Sequence, residues 1–188
     1  SQPFVQPGLA SEPADQPANA NSIAVLPFTN LSSDPAQEYF GDGLTEDIIT
    51  QLSKIRAYKV ISRTSVMQYK TSPKPVKEIG KDQGVSLILE GSVQRYGEQV
   101  RITAQLINAI TDEHIWADSY DRSVEDIFTI QREVALAITS VLNTSLSKRE
   151  TQQLDYLPTA NLQAYDHYMR GKLLMEKRTK SDVLAARE

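Results

Sequence analysis

The sequence predicts an α/β (α+β) fold: a mixed sheet of about five strands with helices packed on it, in the order strand-helix-strand-helix-strand-strand-strand-helix, followed by a C-terminal helical pair. Three observations predict it. Phe40, Leu44, Ile48, Leu52 and Ile55 recur at the spacing of one helix face. Residues 86–120 divide into three β-rich runs joined by turns of hairpin length, and an apolar β-rich run, SIAVLPF, precedes the helix. A sheet with helices over it buries all of these apolar faces together.

The elements follow in order. Residues 1–21 mix Pro, Ala, Gln, Ser and Asn without apolar periodicity and read as a flexible linker. Ser22–Phe28 reads as a buried first strand, stopped or edged by Pro27. Asp34 is placed to N-cap a helix, with Pro35 at its first position and Gln37 three residues after the cap. That helix runs through Gly41 and Gly43 to Ile55, with Tyr39 and Ile49 widening its stripe. Tyr58–Ser62 is short and β-like; Val76, Ile79 and Gly84 mark a short helix with a glycine stop. Ser86–Tyr96, Gln99–Ile110 and His114–Tyr120 are successive strands, turning at Gly97-Glu98 and Thr111-Asp112-Glu113. In the middle one Val100, Ile102, Ala104, Leu106 and Asn108 share a face, and Arg101, Thr103, Gln105 and Ile107 the other. Ser123 caps a final domain helix whose stripe is Val124, Ile127, Phe128, Val134, Ile138, Val141 and Leu142. The expected organisation is a linker over 1–21, a domain over 22–147, a second linker over 148–159 and helices from 160 to 188.

Composition narrows the function. Twenty basic residues against 24 acidic ones, with no long run of either, weigh against a nucleic-acid groove or adhesion to anionic membrane. Without cysteine there are no disulfides, zinc-thiolate sites or cysteine nucleophiles. No apolar run approaches the ~20 residues of a membrane-spanning helix. The chain starts at Ser1 and ends at Glu188 in mid-pattern, and so reads as a piece of a longer protein.

SIAVLPFTNLSSDPAQEYFGDGLTEDIITQLSKI, VISRTSVMQYK, LILEGSVQRYGEQVRITAQLINAITDEHIWADSYDR and VEDIF together resemble the TolB N-terminal-like domain of bacterial signalling proteins, over roughly residues 22–145. The tail NLQAYDHYMRGKLLMEKRTKSDVLAARE resembles the opening of a tetratricopeptide (TPR) repeat, with Tyr165, Gly171 and Ala185 in register apart from about two extra residues. The resemblance implies a module that follows either a class III adenylate cyclase domain or a CadC-type winged helix, often across a membrane span. It thus implies a non-catalytic sensor or protein-interaction module on the periplasmic or extracytoplasmic side of the inner membrane, tethered by an upstream span. A cytoplasmic placement is the alternative. Two alternative functions are the regulatory part of an adenylate cyclase, and a nucleic-acid-binding α/β module. Two departures from the family pattern are Thr111-Asp112 where relatives have Thr-Gly, and Gly41 where they commonly have Ala.

Each candidate chemistry has a plainer counterpart. Gly41-Asp42-Gly43 suggests an anion-binding turn, but no Gly-Lys-Ser/Thr follows, so a helix with Gly43 against the sheet is expected. Asp42, Glu46 and Asp47 have the spacing of a solvated helix face more than of metal ligands. His114 beside Trp116 and His167 on the last helix have no nucleophile to serve. Glu90-Gly91-Ser92 marks a bulge or a close backbone contact, with the bulge preferred over a ligand contact. Of the scattered Arg63, Arg95, Arg101 and Arg122, the last is expected to pair with Asp118, Asp121 or Glu125. No catalytic, cofactor or metal residue is assigned. The expected interaction surface is Tyr165, Met169, Leu173, Trp116 and Arg122, for a protein partner or self-association, with a small ligand as a second class and nucleic acid excluded.

Overall fold

A computed structural model describes residues 21–34, 37–156 and 161–176. Six strands form one mixed sheet: β1 Ser22–Val25, β2 Thr29–Asn30, β3 Lys59–Val60, β4 Leu87–Tyr96, β5 Gln99–Asn108 and β6 His114–Ser123. Their order is β3-β1-β4-β5-β6, with β2 beside β4. β1 lies parallel to β3 and β4, and β4-β5-β6 is an antiparallel meander. The helices are α1 Glu38–Ser53, α2 Arg63–Val66, α3 Gln68–Thr71, α4 Val76–Gln83, α5 Ile127–Val141, α6 Lys148–Asp155 and α7 Leu162–Glu176.

α1 and α5 cover one face of the sheet. Phe40, Leu44, Ile48, Leu52 and Ile55 are all buried in one core with Val100, Ile102, Ala104 and Leu106 of β5, so both periodicities point at the same core. Among the described residues the other face is covered only beside β1 and the start of β4, where Val66, Tyr69 and Ile79 pack on Ala24, Leu26 and Ile88. Beyond them the meander shows a polar face. Gln105 bonds Glu90 (2.6 Å), Thr103 bonds Ser119 (3.2 Å), and Arg101 forks onto Asp121 (2.7 and 3.0 Å).

Several expectations change. The sheet has a sixth strand, because Pro27 interrupts the first run and Thr29–Asn30 then rejoins β4. α1 starts at Glu38 behind Gln37, which makes no side-chain cap; the start expected at Asp34 and Pro35 runs into residues 35 and 36, which lie outside the described residues. Two four-residue helices, too short to show a period, fill the stretch after β3. Residues 148–155, expected as linker, form α6, held by a reciprocal Ser147/Glu150 capping box and by buried Leu154. The bulge expected at Gly91 is absent; the register shift lies at Leu106/Ile107. Gly91 serves the close contact instead, since a Cβ there would stand 2.1 Å from the Thr103 carbonyl oxygen and 2.5 Å from the Phe28 ring. Asp112 does adopt positive φ (71°), as its turn requires. Residues 1–20, and the second of the expected C-terminal helices, lie outside the described residues.

Candidate functional site

The polar side of α1 is where the chain departs most from its amphipathic pattern. Asp42, Glu46 and Asp47 were expected in solvent, yet α3 and α7 close over them. Asp42 is buried and takes Lys70 Nζ at 2.6 Å, with Glu38 completing that cluster at 2.8 Å. Glu46 pairs with Lys172 of α7 and stands 3.8 Å from Arg63. The glycine roles also change. A Cβ on Gly43 would lie 2.5 Å from Met169 Sδ, so Gly43 is the seat of α7. Gly41 faces the sheet, 2.8 Å from a Cβ to the Phe28 carbonyl oxygen, so an alanine there requires α1 to shift away from the 28–30 segment.

At the centre of this seam Tyr165 donates its hydroxyl to Asp47 Oδ2 at 2.5 Å, and Gln131 of α5 donates to the same oxygen at 2.8 Å. The Tyr165 ring stands edge-on to Phe128, centroids 4.8 Å apart. α7 thus touches both α1 and α5. Burial pushes the Asp47 carboxyl up to about 6, against the two hydrogen bonds that favour its charge. Burial, and then the Asp47 charge, push the Tyr165 hydroxyl well above its ordinary value. The hydrogen bond therefore has a firm donor and an acceptor whose carboxyl is raised to about 6.

A second cluster is built on the next residue of α7, Asp166. Asp166 accepts from Tyr39 (2.5 Å), from Arg95 of β4 (3.2 Å) and from Arg170 (3.0 Å). Arg95 lies over the Phe40 ring at 5.5 Å and Arg170 over Tyr39 at 5.1 Å. α7 is thus held by apolar contact at Met169, by two buried tyrosines and by cations on both sides.

Two cavities flank this arrangement. One of about 250 Å³ adjoins the seam, between Gln51, Lys54, Phe128, Gln131 and Tyr168. The other, about 370 Å³, lies across the sheet where β1 ends, between Pro27, Tyr69, Lys74, Glu90, Ser92 and Thr103. Its polar groups are hydroxyls and already paired charges: Lys74 bonds Asp82, and Glu90 bonds Gln105. Neither holds a nucleophile beside an oriented base, and among the described residues no three of His, Asp and Glu converge as a metal site.

The five residues expected to form a surface do not lie together. Tyr165 and Met169 are buried in the seam with α1. Trp116 is half-buried against the main core. Arg122 is exposed on β6 and approaches Glu133 of α5 at 4.0 Å, not Asp118, Asp121 or Glu125, because Asp121 is taken by Arg101. The side chain of Leu173 lies outside the described residues. His114 and His167 are exposed. Sequence reasoning passed over Gln131, Asp166, Arg170 and Lys172, and placed Tyr39 only in the α1 stripe and Arg95 only among the scattered arginines. Apart from the i,i+4 pair Asp166–Arg170, their partners stand as far as 131 residues away in the chain, and no local spacing signals such a pair.

No family model matches this sequence. It is 43% identical over 166 residues to a protein of Rhizobium meliloti (strain 1021) named "Putative adenylate cyclase 3", covering 88% of this chain and 28% of that protein. The chain therefore spans little more than a quarter of the relative it matches. Among solved structures it is similar to TolB from Acinetobacter baumannii (TM-score 0.49, 18% identity, 69% of this chain and 30% of that one). It is also similar to lipoprotein GNA1162 from Neisseria meningitidis (0.47, 17%, 65% and 99%) and to the LpoB C-terminal domain from Salmonella enterica (0.45, 16%, 55% and 83%).

Proposed function

We propose that this chain is a non-catalytic regulatory module of a longer bacterial signalling protein, and that the catalytic output, an adenylate cyclase, lies elsewhere in that protein. The observation that carries this is the 43% identity across nearly all of the chain to a part of a protein bearing that name. The site supports it physically. α7 is held so firmly by Tyr165, Asp166, Met169 and Lys172 that a change of the domain which moves α1 also moves α7 and whatever is attached to it.

In this reading α7 opens a TPR-type helical hairpin. Its seam face is used by the domain, while Tyr168 and Met175 remain exposed for the next helix. A protein partner, or a small ligand in the 370 Å³ cleft, biases the domain, and the seam passes the bias on. The resemblance read in the sequence supports a periplasmic or extracytoplasmic position with a membrane span elsewhere in the parent. No helix among the described residues is long and apolar enough to be that span.

The test uses the longer protein. Gly43→Leu wedges α7 off its seat, and Asp166→Ala releases Tyr39, Arg95 and Arg170. Both are expected to shift the cyclase rate in the same direction and leave the KM for ATP unchanged. The isolated chain is expected to form no cyclic AMP. Cyclase activity in the isolated chain, or full regulation in both seam variants, overturns the proposal.

A further inference from the structure

The sheet ends at β6, and among the described residues no strand pairs with its outer side. The parity of that edge follows from the ladder. Val124 donates to the Glu98 carbonyl and Tyr120 lies opposite Ile102, so even-numbered residues of β6 turn their backbone groups toward β5. Ala117, Ser119 and Asp121 turn theirs outward. The Ser119 N–H confirms this parity: it is bonded at 2.8 Å by the Asp118 carboxylate and not by β5. An edge of this length without Lys, Pro or a central bulge is a template for another strand, and its register shift lies only at the far, His114 end.

We infer that this edge joins two copies of the chain, with the β6 strands antiparallel about Tyr120 and Asp118 of each copy opposite Arg122 of the other. Charge complementarity of the strand to itself selects both occupant and register. Outward residues must meet outward residues, so the two-fold axis passes through one residue. Centring on Asp118 or Asp121 sets like carboxylates face to face. Centring on Ser119 makes no ion pair. Centring on Tyr120 places the acid at 118 and the base at 122 at equal distances from the axis, giving two reciprocal pairs, while Ser119 and Asp121 exchange backbone hydrogen bonds. Asp118 and Arg122 are both exposed, and Arg122 has only its 4.0 Å approach to Glu133 to give up. In the single copy Asp118 blocks the central donor of the edge; pairing supplies that donor with a carbonyl and frees the carboxylate for Arg122. The carboxylate is thus a guard displaced by the right partner.

The inference goes beyond the regulatory reading and stands apart from it, since β6 is remote from α7 in the fold. The test is sedimentation equilibrium of the 188-residue chain from micromolar to near-millimolar concentration. The expected result is a concentration-dependent dimer. Asp118→Arg and Arg122→Asp should each weaken it at least about tenfold, and the two combined should restore it. Ser119→Pro should abolish it with an unchanged circular dichroism spectrum, because the lost N–H points away from β5. A chain that stays monomeric throughout overturns the inference. So does a dimer indifferent to Ser119→Pro, which would be formed elsewhere, or single variants that the charge swap fails to rescue, which would mean another register. None of these results changes the cyclase expectation for the α7 variants.

Discussion

Replacing Asp47 by Asn removes one buried titration from the seam and keeps the shape of the side chain. The carboxyl is raised from its ordinary 3.8 to about 6, a difference of roughly 2. At 1.36 kcal/mol per unit, ionising Asp47 costs the folded state up to about 3 kcal/mol relative to the unfolded one. The sign follows from the raised value. Between about pH 4 and pH 6 the folded protein binds the proton that the unfolded chain has released, so this group makes stability fall as pH rises through that window and become level above it. Asn cannot ionise, and its carbonyl oxygen can still accept from Tyr165. Losing the charge-assisted bonds costs about 1–3 kcal/mol in the opposite direction, so the absolute difference at neutral pH is small and the slope is the informative quantity. Urea unfolding followed by Trp116 fluorescence at pH 4, 5, 6 and 7 measures it, and subtracting the variant from the parent cancels every other titrating group. The expected difference shifts by about 2–3 kcal/mol in favour of the variant between pH 4 and pH 7. Parallel profiles for the two proteins would refute burial of Asp47 as the origin of its raised carboxyl.

Gly91→Ala should destabilise the protein by about 1–3 kcal/mol or more, because the new methyl meets the Thr103 carbonyl at 2.1 Å and backbone cannot yield as a side chain does; an unchanged melting temperature would contradict the contact. Glu150 behaves oppositely to Asp47. The Ser147 hydroxyl, with the backbone N–H groups of Arg56 and Ser147, holds its carboxyl down to about 2, so its contribution is complete above about pH 4.5 and lost as pH falls toward 2. The protection factors of the α6 amides, taken relative to intrinsic exchange at each pH, should therefore fall in acid in the parent and lose that dependence in Glu150→Gln.

What was readable in the chain was readable because it is local. Val100, Ile102, Ala104 and Leu106 alternate with polar neighbours, and the α1 stripe from Phe40 to Ile55 keeps its spacing through two glycines; both signals mark the core face directly. Gly84 ends α4 at φ 62°, as the glycine after a helical run suggests. α6 has one local signal, the capping-box spacing of Ser147 and Glu150, but KRETQQLD has a single large apolar residue and so reads as linker by periodicity.

The candidate site was hidden for a different reason. Asp42, Glu46 and Asp47 look identical in sequence whether solvated or buried, because helical periodicity ranks positions by hydrophobicity and says nothing about a second layer above the polar face. Lys70, Gln131, Tyr165 and Lys172 decide their fate, from 28 to 126 residues away. The glycines show the same division: spacing indicated a helix that tolerates close approach, while only the packed structure assigned Gly41 to the sheet side and Gly43 to Met169. The sequence alone determined which faces are apolar, and hence the sheet, its meander and its two covering helices, since backbone pairing and side-chain period are set by near neighbours. The tertiary structure decided which charges are desolvated and by whom they are held, because desolvation depends on everything within a few ångströms, and most of those atoms arrive from distant parts of the chain.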